Sequence, residues 1–506
     1  MITSDRMAQV DANAAALGVP RAKLMESSGA AVARAVRAES EPGDRVVVVA
    51  GRGNNGGDGL VAARFLDDRR VSVRLLGRRE TIATETAREN FEALRRAEYD
   101  AREVRDTAAL DLPETDVVVD AMLGTGLGGP PREPEATVVE RVNDADATVV
   151  AVDVPSGVDA DTGETPGVAV DADRVVTFHD RAPGLTGLDA AVTVADIGIP
   201  DAAERFVERG DLLALSRDPT AHKGQHGEVL VVGGGPYTGA PALAARAALR
   251  AGADLVRVAC PASVAREVQA TDPALVVREL DGDRLAPAHV DRLLDLAAEH
   301  DAVVVGPGLG DADPTLDAVV DLLSGHDGRV VVDADALRAV PHVDADADLT
   351  CTPHRGELRR MGGPDLRERP DPEAAVAAFA AEVGATLLVK GARDVVSDGE
   401  DTRVNRTGNP GMTVGGTGDV LAGLTGALAG SLSPVQAAAV AAYANGRAGD
   451  LAVNARETDN DDVANGDDMA DGDHVADDGR PPVGGYGLLP TDLVERLPRA
   501  LWGDRP

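Results

Sequence analysis

Aromatic side chains make up only 2% of this 506-residue chain: one Trp, four Tyr and five Phe. Lysine is nearly missing too, confined to Lys23, Lys223 and Lys390, so the basic residues are almost all arginine. Apolar burial therefore rests on aliphatic residues, which are plentiful. The two cysteines, Cys260 and Cys351, follow predicted strands and stand far apart. They provide neither a disulfide framework nor metal-ligand spacing, which predicts a reducing, cytoplasmic setting. No stretch approaches 18 apolar residues, and the opening MITSDRMAQVDANAAALGVP lacks a basic segment followed by an apolar run. Neither a membrane span nor a secretory leader is predicted. The pattern GxxxxGK[ST] does not occur, which excludes a P-loop nucleotide site.

Acids outnumber bases 86 to 50, a formal charge of −36. Such a charge repels nucleic acid and anionic membranes. With arginine in place of lysine and few aromatics, it reads as adaptation to high salt, where charge repulsion is screened. The length calls for two or three domains.

Residues 7–36 carry two amphipathic helices parted near Gly18-Val19-Pro20. Arg45-Val46-Val47-Val48-Val49-Ala50, a continuous β-branched run, reads as a buried parallel strand. It ends in Gly51-Arg52-Gly53-Asn54-Asn55-Gly56-Gly57-Asp58-Gly59, with a helix expected over 60–66. Strand, Gly-rich turn and helix together hold a dinucleotide's phosphates. A second strand over 71–76 ends in Gly77-Arg78-Arg79, where a dehydrogenase would place an acid for a ribose. Those arginines read as ordinary exposed residues sooner than as ligands of a 2′-phosphate. A third strand over 116–120 runs into Ala121-Met122-Leu123-Gly124-Thr125-Gly126-Leu127, and a fourth over 148–153 into Val154-Pro155-Ser156-Gly157. Singly, Asn54, Asn55, Asp58, Asp120, Asp153 and Ser156 are cap or turn formers. At consecutive strand ends of a doubly wound sheet they converge on one rim and favour a site.

A charged stretch ending in Asp218-Pro219-Thr220 marks a boundary, with domains expected over 1–212 and 213–506. Beyond it, His222-Lys223-Gly224-Gln225-His226-Gly227 precedes a strand over 228–232; its two histidines lack a nearby acidic or cysteine partner and do not form a metal site. Tyr237-Thr238-Gly239-Ala240 opens a helix over 241–251. A strand over 301–305 ends in Gly306-Pro307-Gly308-Leu309-Gly310, and one over 329–332 in Asp333-Ala334-Asp335. Another leads to Thr352-Pro353-His354-Arg355-Gly356-Glu357, and Leu387-Leu388-Val389 to Lys390-Gly391-Ala392-Arg393-Asp394.

The most informative run is GNPGMTVGGTGDVLAG over 408–423, a glycine-rich turn feeding a helix whose Leu421, Leu424, Ala427 and Leu428 share a face. Gly415, Gly416 and Gly418 let backbone amides approach an anion at the positive end of that helix. Asp419 at such a mouth is awkwardly placed unless it works as a base. Over 455–480, ten acidic residues face only Arg456 and Arg480 with almost no aliphatics, which predicts a disordered, solvated insertion.

The run over 408–423 resembles the catalytic loop of ribokinase-like kinases, and more closely that of the ADP-dependent NAD(P)H-hydrate dehydratases; HKGQHG, GPGLG and TPHRGE fit the same family over residues 215–450. NNGGDG, VVVDAMLGTGL and VDVPSG are similar to NAD(P)H-hydrate epimerases over most of 1–210. The resemblance implies an α/β chain with an N-terminal Rossmann-like doubly wound sheet and a C-terminal ribokinase-like α/β sandwich. It implies that Asn54, Asn55, Gly56, Gly57 and Asp58, with Gly124, Thr125, Gly126, Leu127, Gly128, Gly129 and Pro130, bind the hydrated dinucleotide. Asn55, Asp120 and Ser156 would hold a potassium ion (K+), and Asp153 would contact substrate as acid/base. In the second domain it implies substrate contacts from Ala240, Gly308, His354 and Asp419, with Asp419 as base. Lys390, Gly391, Ala392, Arg393, Asp394 and Gly418 would bind ADP or ATP, accompanied by Mg2+.

The activity implied is repair of hydrated NADH and NADPH in a cytoplasmic homo-oligomer that binds neither nucleic acid nor membrane. The S and R hydrates are epimerised, and the S form is dehydrated at the expense of nucleotide. Two rivals stand beside it: a kinase for a vitamin precursor or sugar with a non-catalytic N-terminal domain, and an RNA-associated scaffold. The fused first domain opposes the kinase. The intact acids and amides and the −36 charge oppose the scaffold.

Overall fold

The structure, a computed structural model, describes residues 1–106, 114–126, 129–217, 220, 222–343, 345–461 and 486–503. They form two compact units, Met1–Ala203 and Glu204–Pro506.

The first unit is built on strands β1 Arg45–Ala50, β2 Arg70–Leu76, β3 Asp100–Val104, β4 Val117–Ala121, β5 Thr148–Val152, β6 Arg174–Phe178 and β7 Ala191–Ala195. All pair in parallel, in the order β3-β2-β1-β4-β5-β6-β7. The chain leaves β1 to one side and returns on the other at β4, so the crevice between those strand ends is the switch point of a doubly wound sheet. The valine run in β1 divides by the period of two: Val46, Val48 and Ala50 enter the core on one face, Val47 and Val49 that on the other. Both faces are covered, which is why the run shows no polar alternation. Ser4–Ala16 and Arg21–Ala38 are the two expected N-terminal helices.

The helix after β1 begins at Asn54, not near residue 60. The NNGGDG motif is its first turns, and the connecting turn is only Gly51-Arg52-Gly53. Packing explains this: a Cβ on Gly56 would lie 2.1 Å from the Gly51 carbonyl oxygen, and one on Gly59 2.5 Å from Ala121 Cβ.

The second unit repeats the scheme with β8 Glu228–Val232, β9 Leu255–Pro261, β10 Val276–Leu280, β11 Ala302–Val305, β12 Arg329–Val332, β13 Asp348–Cys351, β14 Thr386–Val389, β15 Asp394–Ser397 and β16 Thr402–Asn405. Their order is β10-β9-β8-β11-β12-β13-β14-β15-β16, parallel through β14 and closed by antiparallel β15 and β16. Val229 and Val231 join one core layer, Leu230 and Val232 the other. On the first layer lie the helices Gly239–Ala251, Thr417–Ala429, Pro434–Asp461 and Pro490–Trp502. Cys260 and Cys351 lie inside β9 and β13 rather than after them. Burial pushes their thiols up to about 11 and about 12, so neither is a reactive thiolate.

Residues 204–215 belong with the second unit. Phe206 bridges to Val404, Val207 N donates to Val404 O at 3.0 Å, and Arg403 pairs with Asp211 at 2.9 Å. Of the acidic stretch 455–480, residues 455–461 continue the helix Pro434–Asp461; the rest of that expected insertion lies outside the described residues. Among the described residues no helix is long and apolar enough to cross a membrane.

Candidate active sites

In the first unit a cavity of about 660 Å³ opens at the β1/β4 switch point. Asn54, Asn55 and Asp58 line it from the helix after β1, Gly124, Thr125 and Gly126 from the loop after β4, and Asp153 from the end of β5. Asp11 and Arg21 close it from the N-terminal helices. Asp153 sits in the left-handed region at φ 65°, which turns its carboxylate out of the strand; Thr177 Oγ1 donates to Asp153 Oδ1 at 3.1 Å. An aspartate tolerates that conformation better than most residues. Burial raises Asp153 to about 6, with Asp11 adding to the shift. Burial lifts Asp58 well above the usual carboxylate range, helped by Asp153 and Asp11. Three acids sharing one desolvated cavity oppose one another's ionisation, which favours keeping a proton on the site.

Beneath the cavity, Asp120 and Ser156 are fully buried. Ser156 N donates to Asp120 Oδ2 at 2.8 Å and Ser156 Oγ to Asp120 Oδ1 at 2.6 Å. Leu123 N donates to Ser156 Oγ at 2.9 Å, and Asn55 Nδ2 to the Leu123 carbonyl at 2.8 Å. Burial still raises Asp120 to about 6 against those hydrogen bonds. Asn55 Oδ1 is buried with no donor among the described residues. Gly56 and Gly57 face packing partners, Gly51 and Met25, rather than the cavity. Gly129 and Pro130 do not line it, and Leu127 and Gly128 lie outside the described residues.

In the second unit the helix Thr417–Ala429 starts from Gly416 at φ 101°, a left-handed cap open to glycine. Asp419 stands in its first turn. Burial raises it to about 7, Asp333 and Glu357 adding to the shift and Lys390 opposing it. Lys390 Nζ lies 2.9 Å from Asp333 Oδ1 and 3.9 Å from Glu357 Oε2. Thr352 Oγ1 donates to the same Asp333 oxygen at 2.7 Å. Burial disfavours the Lys390 charge, but Asp333, Glu357 and Asp419 outweigh it and raise its pKa. A Cβ on Gly418 would lie 3.3 Å from Lys390 Nζ, so the ammonium sits against the glycine loop.

His354 caps the helix Arg355–Arg360, its Nδ1 accepting from Gly356 N at 2.9 Å and Glu357 N at 3.1 Å. That leaves Nε2 to carry the ring proton. The imidazole is about half exposed on the rim beside Lys390, to which His354 is bridged. Gly391, Ala392 and Arg393 form the exposed turn between β14 and β15. Asp394 braces it, accepting from Gly391 N and from Asn405 Nδ2, each at 2.9 Å. Ala240 and Gly308 meet: a Cβ on Gly308 would lie 3.3 Å from Ala240 Cβ. Asp11, Asp333 and Glu357 carry weight at these sites that spacing did not reveal. For Asp333 the signal was an acid just after a strand, and for Glu357 its place at the end of the TPHRGE run.

Residues 21–184 match the YjeF-related protein N-terminus family, and residues 229–465 the NAD(P)H-hydrate dehydratase family. The bifunctional NAD(P)H-hydrate repair enzyme Nnr of Methanothermobacter thermautotrophicus is 44% identical over 473 residues, covering 88% of this chain and 90% of that protein. The enzyme of the same name from Archaeoglobus fulgidus is 43% identical over 507 residues, covering 99% and 98%. Among solved structures, the ADP/ATP-dependent NAD(P)H-hydrate dehydratase from Bacillus subtilis, co-crystallised with ATP/Mg2+, covers 60% of this chain and 99% of its own at 24% identity and a TM-score of 0.47. With the likeness to full-length relatives running through both units, this chain belongs to the family of bifunctional NAD(P)H-hydrate repair enzymes.

Proposed function

We propose that the first unit interconverts the C6 epimers of hydrated NADH and NADPH, and that the second dehydrates the S epimer using ADP or ATP. The observation that carries this reading is kinship across both units with enzymes named for that repair. In the first unit Asp153, raised to about 6, serves as acid/base, and Asp58 and Asp11 govern its proton. Asn55, Asp120 and Ser156 would hold K+. A buried acceptor without a donor, Asn55 Oδ1, set among carbonyl, hydroxyl and carboxylate oxygens, is the donor chemistry of a hard cation. When bound, that ion supplies fixed positive charge beneath an acid-rich cavity.

In the second unit Asp419 takes the proton of the 6-hydroxyl, and the oxygen attacks the terminal phosphoryl group of the nucleotide, whose bridging P–O bond breaks to release AMP from ADP or ADP from ATP. The C6–O bond of the new phosphate ester then breaks, inorganic phosphate leaving with the bonding pair, as C5 gives up a proton to solvent and the C5–C6 double bond returns. A value of about 7 suits a base working near neutral pH. Lys390, fixed by Asp333, and the amides of 415–418 stabilise charge on the phosphoryl group. Asp333 and Glu357 offer two hard carboxylates and, among the described residues, no fuller metal-ligand cluster forms, which fits Mg2+ arriving with a nucleotide. The enzyme is proposed to work as a cytoplasmic homo-oligomer on small molecules.

The test is recovery of reduced-nicotinamide absorbance from a mixture of hydrate epimers. Complete recovery that requires nucleotide is expected. No recovery from the S epimer with either ADP or ATP overturns the dehydratase reading.

A further inference from the structure

The first cavity has a basic corner that the acid/base chemistry does not use. Arg52 lines the cavity from the turn after β1. Its side chain lies across the end of β2: a Cβ on Gly77 would come within 2.9 Å of Arg52 Cδ and 3.3 Å of Nε. Gly77 sits at φ 111°, so the strand end is both left-handed and flattened beneath the guanidinium stem. Arg78 follows, exposed, and the segment after it returns to the cavity wall at Thr81 and Ala83. Thr81 Oγ1 donates to the Arg78 carbonyl at 2.7 Å, which holds that return.

Neither Arg52 nor Arg78 makes a side-chain hydrogen bond or ion pair among the described residues. In a chain with 86 acids for 50 bases, a guanidinium without a carboxylate runs against the odds. The neighbouring arginine shows the alternative: Arg79 lies 3.0 Å from Glu80, 3.3 Å from Glu92 and 3.9 Å from Glu103. The end of β2 is where a doubly wound sheet meets the adenosine ribose, with an acid for a 2′-hydroxyl or an arginine for a 2′-phosphate. Here the acid is absent and two uncommitted guanidinium groups stand in its place.

We infer that Arg52 and Arg78 select the 2′-phosphate of the dinucleotide, so that the first unit acts on hydrated NADPH in preference to hydrated NADH. This rests on the epimerase reading of that unit. A guanidinium fork matches a phosphate dianion, and each such charge-assisted contact changes affinity roughly 10- to 100-fold. Molar salt shortens the screening length to about 3 Å, so only direct contact, not the general field, discriminates there.

The experiment measures epimerisation of both hydrates by the full chain in molar KCl, above the spontaneous background. Wild type is expected to show a higher kcat/KM for the 2′-phosphorylated hydrate. Arg52→Gln and Arg78→Gln are each expected to lower that value roughly tenfold or more, through KM, with little change for the unphosphorylated hydrate. Arg79→Gln, which removes a committed arginine, should leave the ratio unchanged. Equal rates on both hydrates in wild type, or equal losses on both in the variants, overturns the inference and leaves the epimerase reading standing. A wild-type chain that epimerises neither hydrate overturns that reading, and the inference with it.

Discussion

At the scale of single residues, the second site turns on Asp419. Asp419→Asn keeps the size of the side chain but cannot accept the hydroxyl proton. Dehydration should slow by ~10²–10⁴ with nucleotide binding and epimerisation intact; a wild-type rate would leave Asp419 an acid in the helix's first turn and nothing more. The same group sets a pH dependence with a definite sign. Its folded value of about 7 stands above the ordinary 3.8, so the native state holds a proton that the unfolded chain has lost between those values. Its contribution to stability is present below the unfolded value and lost as pH rises through about 7, while the dehydration rate rises over that same upper limb. Asp419→Asn should therefore raise Tm by about 2–6 °C at pH 8 and leave it unchanged near pH 4. Lys390→Met removes the charge that opposes the shift and should move the rate midpoint further up. At the first site, Asp153→Asn should reduce use of the R epimer to the spontaneous rate and spare dehydration of the S epimer. Undiminished use of the R epimer would remove Asp153 from the acid/base role.

Elements matter through how closely they approach. The helix Thr417–Ala429 presents Asp419 at its first turn only because its middle lies directly on the helix Gly239–Ala251. A Cβ on Gly423 would stand 1.9 Å from the Ala244 carbonyl oxygen, a contact that backbone cannot yield cheaply. Alanine in a helix interior ordinarily stabilises by ~1 kcal/mol relative to glycine. Gly423→Ala should reverse that sign, costing about 1–3 kcal/mol of stability and lowering dehydration along with it. Gly239→Ala, with nothing within 4 Å of the added carbon, supplies the comparison for stability. Equal thermal midpoints for the two variants would show the helices free to part.

On the scale of the whole molecule, charge and partition decide behaviour. A net −36 favours expansion in dilute buffer and is screened in molar KCl. Tm and both activities should rise together from low to molar salt; full activity in dilute buffer would contradict the halophilic reading. Each unit closes its own pair of core layers. A fragment over 204–506 should keep the dehydratase. One over 213–506 should be less stable, because it lacks Phe206, which lies 3.9 Å from Arg406, and the Asp211 pair with Arg403. Matching thermal midpoints for the two fragments would assign the segment 204–212 no structural part.

Some of this was legible in the chain itself. β1, β4, β5, β8, β11 and β12 are runs of Val and Leu buried on both faces, so composition alone marks them. Their C-terminal ends carry the polar motifs, and a parallel sheet gathers such ends at one edge. The edge strands β3 and β16 escaped notice because Asp100-Ala101-Arg102-Glu103 and Thr402-Arg403 have no apolar run; pairing with a neighbour makes them strands. NNGGDG reads as a loop by its glycines, yet the close approach of Gly56 to Gly51 makes it helix. Sequence by itself determined two α/β units and the glycine-rich turns at their strand ends, and it pointed to Asp153 and Asp419, since each is carried by a contiguous motif. Only the tertiary structure brought Asp11 to Asp58 and Asp153, set Asp333 and Glu357 around Lys390, and laid Arg52 over Gly77. The physical reason is that burial and Coulomb interactions act through space, between groups that the chain keeps tens or hundreds of residues apart.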